Sequence, residues 1–202
     1  MPTIVSIQKT EIALTDEDFL ETARYLGYNK SNSPDEQVYN LIKTACTELF
    51  NVFTPKAVFD CFDLKIEEKI SFADVSIKSE SLGINLRNCR KVFLVAVTIG
   101  PQVDAFIRRT QALDSVKASI LQAAGAMLAE KTIDFINGQI KEIAASQNTK
   151  CKPRFSPGYG DVPLTIQKDF FRLLPCSKIG LSLMDTLIMS PEKSITAFIG
   201  ML

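Results

Sequence analysis

The segment Arg154–Asp161, RFSPGYGD, gathers the residues of this chain best suited to holding a small molecule. The Arg154 guanidinium can take a carboxylate in a bidentate pair. Phe155 and Tyr159 offer flat faces that can stack on a base or meet a cation. Gly158 and Gly160 let backbone N–H and C=O groups approach a ligand closely. Pro157, with Pro153 and Pro163 nearby, fixes φ, so less conformational entropy is lost when the loop orders. The same composition also describes an ordinary tight loop whose aromatics cap the core. The chain has no histidine, so the commonest general base near neutral pH and the commonest metal ligand are both missing. Chemistry here must draw on carboxylates, Lys, Tyr, Cys or a cofactor.

A second group of candidates lies upstream. The longest helical pattern runs from Asp114 to about Gln147, with Val116, Ile120, Ala123 and Met127 on one stripe. Its small run Ala123-Ala124-Gly125-Ala126 leaves room for another backbone, and Gly138 can kink or end it. The same spacing brings Glu130 and then Asp134 to the edge of the stripe. An unpaired carboxylate on a buried face is costly, so either these acids have a partner or the helix emerges into solvent there.

The rest of the chain must position these groups. Thr3–Gln8 reads as a first strand, and Thr15 as the cap of a helix that ends near Gly27. Ser33-Pro34-Asp35-Glu36 reads as a capping box opening a helix with Val38, Leu41, Ile42, Ala45 and Leu49 inward, stopping near Thr54-Pro55. Phe62, Leu64 and Ile66 alternate with charged residues as a half-buried strand, with Ile70–Ile77 as its neighbour. Val92–Ile99 is an uninterrupted β-branched run that suits a central strand covered on both faces, and Gly100-Pro101 opens the next helix. A short helix is expected from about Leu164 to Leu174. Strands follow at Ile179–Met184, Leu187–Met189 and Ser194–Met201, the last two around the turn Ser190–Lys193. Helices and strands come in blocks, which predicts an α+β fold with a twisted, largely antiparallel sheet flanked by helices.

The 202 residues suit one sizeable domain, with 46% hydrophobic and 23% charged residues and 23 basic against 23 acidic side chains. That balance gives no reason to expect a nucleic-acid partner. No apolar run reaches membrane length. The N-terminus lacks the pattern of a signal peptide, so a cytoplasmic protein is expected. The five cysteines are scattered and never spaced Cys-x-x-Cys, which favours reduced, mostly buried thiols over a disulfide framework or a metal site.

The stretch Arg154-x-x-Pro157-Gly158-Tyr159 resembles the Arg-x-x-x-Gly-Tyr motif in the activation domain of cobalamin-dependent methionine synthase. The similarity continues through the following helix and the hairpin around Met189-Ser190-Pro191. Upstream, Val97–Arg109 and Asp114–Asp134 look like the small stand-alone members of that family. It is clear over residues 91–202 and weak over 1–90. The resemblance implies an S-adenosylmethionine-binding reactivation subunit that presents the sulfonium methyl to a cobalamin held by a partner. The implied partners are a corrinoid-dependent methionine synthase or another corrinoid protein, with an electron donor such as a flavodoxin. It implies further that Arg154 grips the ligand's carboxylate, that Ser156, Gly158 and Tyr159 line the adenosine pocket, and that Glu130 takes the ammonium or ribose hydroxyls. Ser156 stands where the family has alanine. The larger family members continue past the hairpin with tyrosine-containing residues, whereas this sequence closes at Leu202, and their N-terminal ligand-binding aspartate has no assigned counterpart here. Two other readings stay open: an adaptor that docks on a corrinoid protein without binding S-adenosylmethionine, and an independent enzyme with Asp161 or Glu130 as base.

Overall fold

A computed structural model describes residues Met1–Leu202. The apolar run forms β5 (Lys91–Thr98), and Val92, Leu94, Val95, Ala96 and Val97 are all fully buried. A strand with no polar alternation needs cover on both faces, and this one has it. It pairs antiparallel with β2 (Lys56–Ile66) on one side and β8 (Ser194–Met201) on the other, with Val95 opposite Phe59 and Ala197. The sheet order is β4 (Val75–Ile77), β3 (Ile70–Phe72), β2, β5, β8, and β1 (Thr3–Ser6) also pairs with β2. All these pairings are antiparallel, as the block pattern of the sequence predicts. No helix is long and apolar enough to cross a membrane.

Four helices cover one face: α1 (Asp16–Tyr25), α2 (Glu36–Val52), α4 (Pro101–Gln111) and α5 (Ser115–Ser146). Their apolar stripes close over Phe59, Phe93, Val95, Val97, Ala197 and Ile199. Side chains alternate across a strand, so Val58, Leu94, Ala96 and Phe198 point the other way. There they meet α3 (Glu80–Asn85), α6 (Gln167–Leu173) and the turns around them.

Several local expectations are corrected. The α2 cap is Asp35, whose carboxylate accepts the Val38 N–H at 2.8 Å, while the Ser33 hydroxyl turns back to the Asn29 carbonyl. The buried stripe of α2 is Ile42, Ala45, Cys46 and Leu49, and Leu41 is exposed. Ile70–Ile77 is two short strands, β3 (Ile70–Phe72) and β4 (Val75–Ile77), because the chain reverses at Ala73 with φ +46°. Val116 points to solvent, and Gly138 does not end α5, which runs on to Ser146. Gly125 receives a side chain rather than a backbone: the Lys193 stem lies 3.1 Å from where a Cβ would stand.

The C-terminal hairpin also differs from its expected form. Cys176–Ile179 is a 3-10 turn closed by Gly180 in the left-handed region, so no strand begins at Ile179. Instead β6 (Ser182–Leu183) pairs with β7 (Met189–Ser190) as a small separate ribbon. The turn Ser190–Lys193 therefore carries the chain from that ribbon into the main sheet, where β8 pairs with β5.

Candidate functional site

Arg154 owes its position to β8. After α5 the chain returns along the free edge of that strand. The Lys152 N–H donates to the Gly200 carbonyl at 2.8 Å, and Phe155 and Phe198 exchange backbone hydrogen bonds at 2.9 and 2.8 Å. In such an extended segment neighbouring side chains point to opposite faces. Phe155 packs against the cluster beneath α3 and α6. Arg154 turns to the α5 face, where its guanidinium fork ion-pairs with Glu130 through one nitrogen and Asp134 through the other. Glu130 and Asp134 are one turn apart on α5, a spacing that puts both on one side of a helix. Both expectations for the acids at the edge of the apolar stripe hold: they have a cationic partner, and the helix emerges into solvent there, with the Asp134 side chain 61% accessible.

Other groups face the same cluster. Tyr25, at the end of α1, has its phenol pushed up by partial burial, then by the Glu130 and Glu21 carboxylates. It stays a neutral hydroxyl donor over the physiological range. Asn137 follows Asp134 by three residues and Glu130 by seven, and its buried Oδ1 has no hydrogen-bond partner. On the opposite side of the edge segment, Asn85 of α3 donates to the Pro153 carbonyl at 3.1 Å, and its own Oδ1 is buried without a partner. Unsatisfied buried acceptors are uncommon in folded proteins and call for a donor. Neither asparagine nor Tyr25 was singled out from the sequence. Only Asn137 carried a usable signal, its helical spacing from Glu130.

Ser156, Gly158 and Tyr159 belong to the turn that follows Arg154. The Tyr159 N–H donates to the Ser156 carbonyl at 3.2 Å, and the Gly158 N–H to the Val162 carbonyl at 3.0 Å. Those two N–H groups are used inside the turn, while the Tyr159 ring points outward. That ring is 71% exposed and lies edge-on to Phe155 at 5.6 Å. Both loop glycines are required: Gly158 has φ +82° and Gly160 φ +59°, and a Cβ on Gly160 would stand 2.5 Å from the Ser81 hydroxyl.

Asp161 is a structural anchor. Its carboxylate accepts the Ser79 hydroxyl at 2.5 Å, the Ser81 hydroxyl, and the Glu80 and Ser81 N–H groups at 2.6 and 3.2 Å. The Ser79 and Ser81 hydroxyls, followed by the Glu80 amide, hold this carboxyl well below the usual carboxylate range. Both carboxylate oxygens are thus engaged by hydroxyl and amide donors that tie the loop to α3. A depressed folded pKa means that the stabilising contribution is complete above the ordinary carboxylate pKa of about 4 and is lost as pH falls through that range and below. Thermal melts of wild type and Asp161→Asn from neutral pH down to about pH 2 are therefore expected to converge as the pH drops. A constant gap between the two would contradict this anchoring role.

The arrangement suits an amino-acid head group of the kind carried by S-adenosylmethionine. Such a ligand brings its own carboxylate and ammonium. It can exchange the internal Arg154 pairs for Arg154–carboxylate and Glu130–ammonium pairs, which leaves Asp134, 61% accessible, to solvent or to the sulfonium. One guanidinium beside two carboxylates leaves the cluster one negative charge, matching the net positive charge of a sulfonium amino acid. The unpartnered Asn137 oxygen, on the same side of α5 as Glu130 and Asp134, suits a ribose or ammonium donor.

The fold is an α+β architecture with an open antiparallel sheet, helices on both faces, and an arginine-bearing loop along the β8 edge. A solved structure with this architecture is the MetH reactivation domain bound to AdoHcy. It aligns with 99% of this chain and 78% of its own length at 16% sequence identity, with a TM-score of 0.69. This chain thus has the fold of that reactivation domain. The likeness extends through the first ninety residues, where the sequence resemblance was weak. No protein-family model matches the sequence, and no curated protein is significantly similar to it.

Proposed function

We propose that this chain is an S-adenosylmethionine-binding reactivation subunit, working in the cytoplasm on a corrinoid-dependent methionine synthase or a related corrinoid methyltransferase. The observation that carries the reading is the convergence of Arg154, Glu130 and Asp134, in a fold whose solved relative is bound to AdoHcy. Arg154 holds the ligand carboxylate, Glu130 the ammonium or ribose hydroxyls, and Ser156, Gly158 and Tyr159 the adenosine. The cobalamin is held by the partner, and S-adenosylmethionine supplies the methyl group. This chain contributes position, and fixing the geometry of two reactants removes much of the entropic part of the barrier. An electron donor such as a flavodoxin supplies the electron.

A second reading has one observation in its favour. Arg154 is already satisfied by two carboxylates, which is also what an adaptor that has given up the ligand would show. Reconstitution separates the two. A methionine synthase lacking its own reactivation domain, with its cobalamin in the Co(II) form, is mixed with this chain, S-adenosylmethionine and a reduced flavodoxin. The expected result is a return to the methylcobalamin absorption spectrum, lost with Arg154→Ala. Binding of the two proteins without that spectral change would overturn the proposal and leave the adaptor.

A further inference from the structure

A cleft lies between the last turn of α1, the loop that follows, and the start of α2. A cavity of about 420 Å³ opens there, with Leu20, Ala23, Tyr28, Pro34 and Tyr39 as its apolar and aromatic surfaces. That size falls within the range of small-molecule pockets. Neither Arg154, Glu130 nor Asp134 lines it, so it is distinct from the cluster on α5.

The charge of its wall is one-sided. Arg24 and Lys30 line it, and none of its nine lining residues is acidic, in a chain with 23 acidic side chains. Arg24 is ion-paired with Glu21 outside the cavity wall. Lys30 has no ion-pair partner, so its ammonium is available to an anion. The wall is also formed in advance. Asn29 and Asn32 exchange backbone hydrogen bonds at 3.0 and 3.1 Å, and the Asn29 side chain accepts the Ser31 and Asn32 N–H groups at 2.9 and 3.2 Å. A loop closed in this way gives up little further entropy on binding. Tyr39 packs edge-on against Phe19 at 6.4 Å, and its ring offers a surface for a flat partner.

We propose that this cavity binds a small planar aromatic anion, its ring system against Tyr28 and Tyr39 and its carboxylate at Lys30. The proposal is independent of the reading of the Arg154 site. Its test is an amide chemical-shift titration of the full chain with 2-naphthoate and, separately, with its neutral counterpart 2-naphthamide. The shifts are expected to centre on Ala23, Asn29 and Ser33, with the carboxylate binding about fivefold more tightly than the amide, as one solvent-accessible ion pair allows. Lys30→Glu is expected to abolish that preference, and Arg154→Ala to leave it unchanged. Equal affinity for the two probes, shifts centred elsewhere, or no saturation with either probe would overturn the proposal.

Discussion

Replacing Phe198 by alanine is expected to cost about 3–5 kcal/mol of folding stability, the range for removing a fully buried phenylalanine from a core. Phe198 is fully buried and takes Phe170 and Phe72 edge-on at 4.8 and 5.8 Å. It therefore joins α6, β3 and β8 beneath one face of the sheet. Its backbone also exchanges both hydrogen bonds with Phe155, the residue next to Arg154. The loss is thus expected to loosen the functional edge as well as the core. Urea unfolding followed by circular dichroism measures it. Since domains of this kind are held together by about 5–15 kcal/mol, the shift in midpoint will be large. Phe198→Leu, which keeps most of the volume, is expected to lose much less. A cost below about 1 kcal/mol for the alanine variant would mean that Phe198 does not occupy this position.

Arg154→Ala is expected to separate binding from stability. Loss of a charge-assisted, bidentate contact to the ligand carboxylate weakens S-adenosylmethionine binding by about 2–3 kcal/mol, roughly 30- to 150-fold in dissociation constant. The folded protein loses little, because its partners are substantially exposed: the Glu130 and Asp134 side chains are 40% and 61% accessible. Exposed ion pairs contribute only about 0–1 kcal/mol. Arg154→Lys is expected to recover only part of the affinity, since an ammonium cannot present the guanidinium's planar fork. Isothermal titration calorimetry for affinity and thermal melting for stability check both halves. Equal affinity of wild type and Arg154→Ala would remove this residue from the site.

The sequence carried the central strand and the long helix well, for physical reasons. Val92–Val97 has no polar residue that could face water, and Asp114 caps a helical period that continues from Ser115 to Ser146. It carried the C-terminal ribbon poorly. Met189 and Ser194 lie close enough in sequence to suggest a hairpin, but their partners are chosen by register against Leu183 and Thr98, which no local pattern encodes. The N-cap of α2 was misplaced because Ser33 and Asp35 both satisfy capping chemistry, and only the three-dimensional loop decides between them. At the site, Arg154, Gly158 and Tyr159 were legible because a rigid, glycine-rich loop is unusual in itself. Glu130 and Asp134 were legible because they break an apolar stripe. The pairing of Arg154 with both acids was not legible, since it depends on the edge segment returning along β8. Tyr25 was hidden for the same reason: its meaning comes from α1 lying beside α5.

If this edge of the sheet holds S-adenosylmethionine, calorimetric titration of the full chain with that ligand gives saturable binding of one ligand per chain, weakened in both Arg154→Ala and Glu130→Gln. No measurable heat at millimolar ligand, confirmed by an unchanged melting temperature, would contradict it.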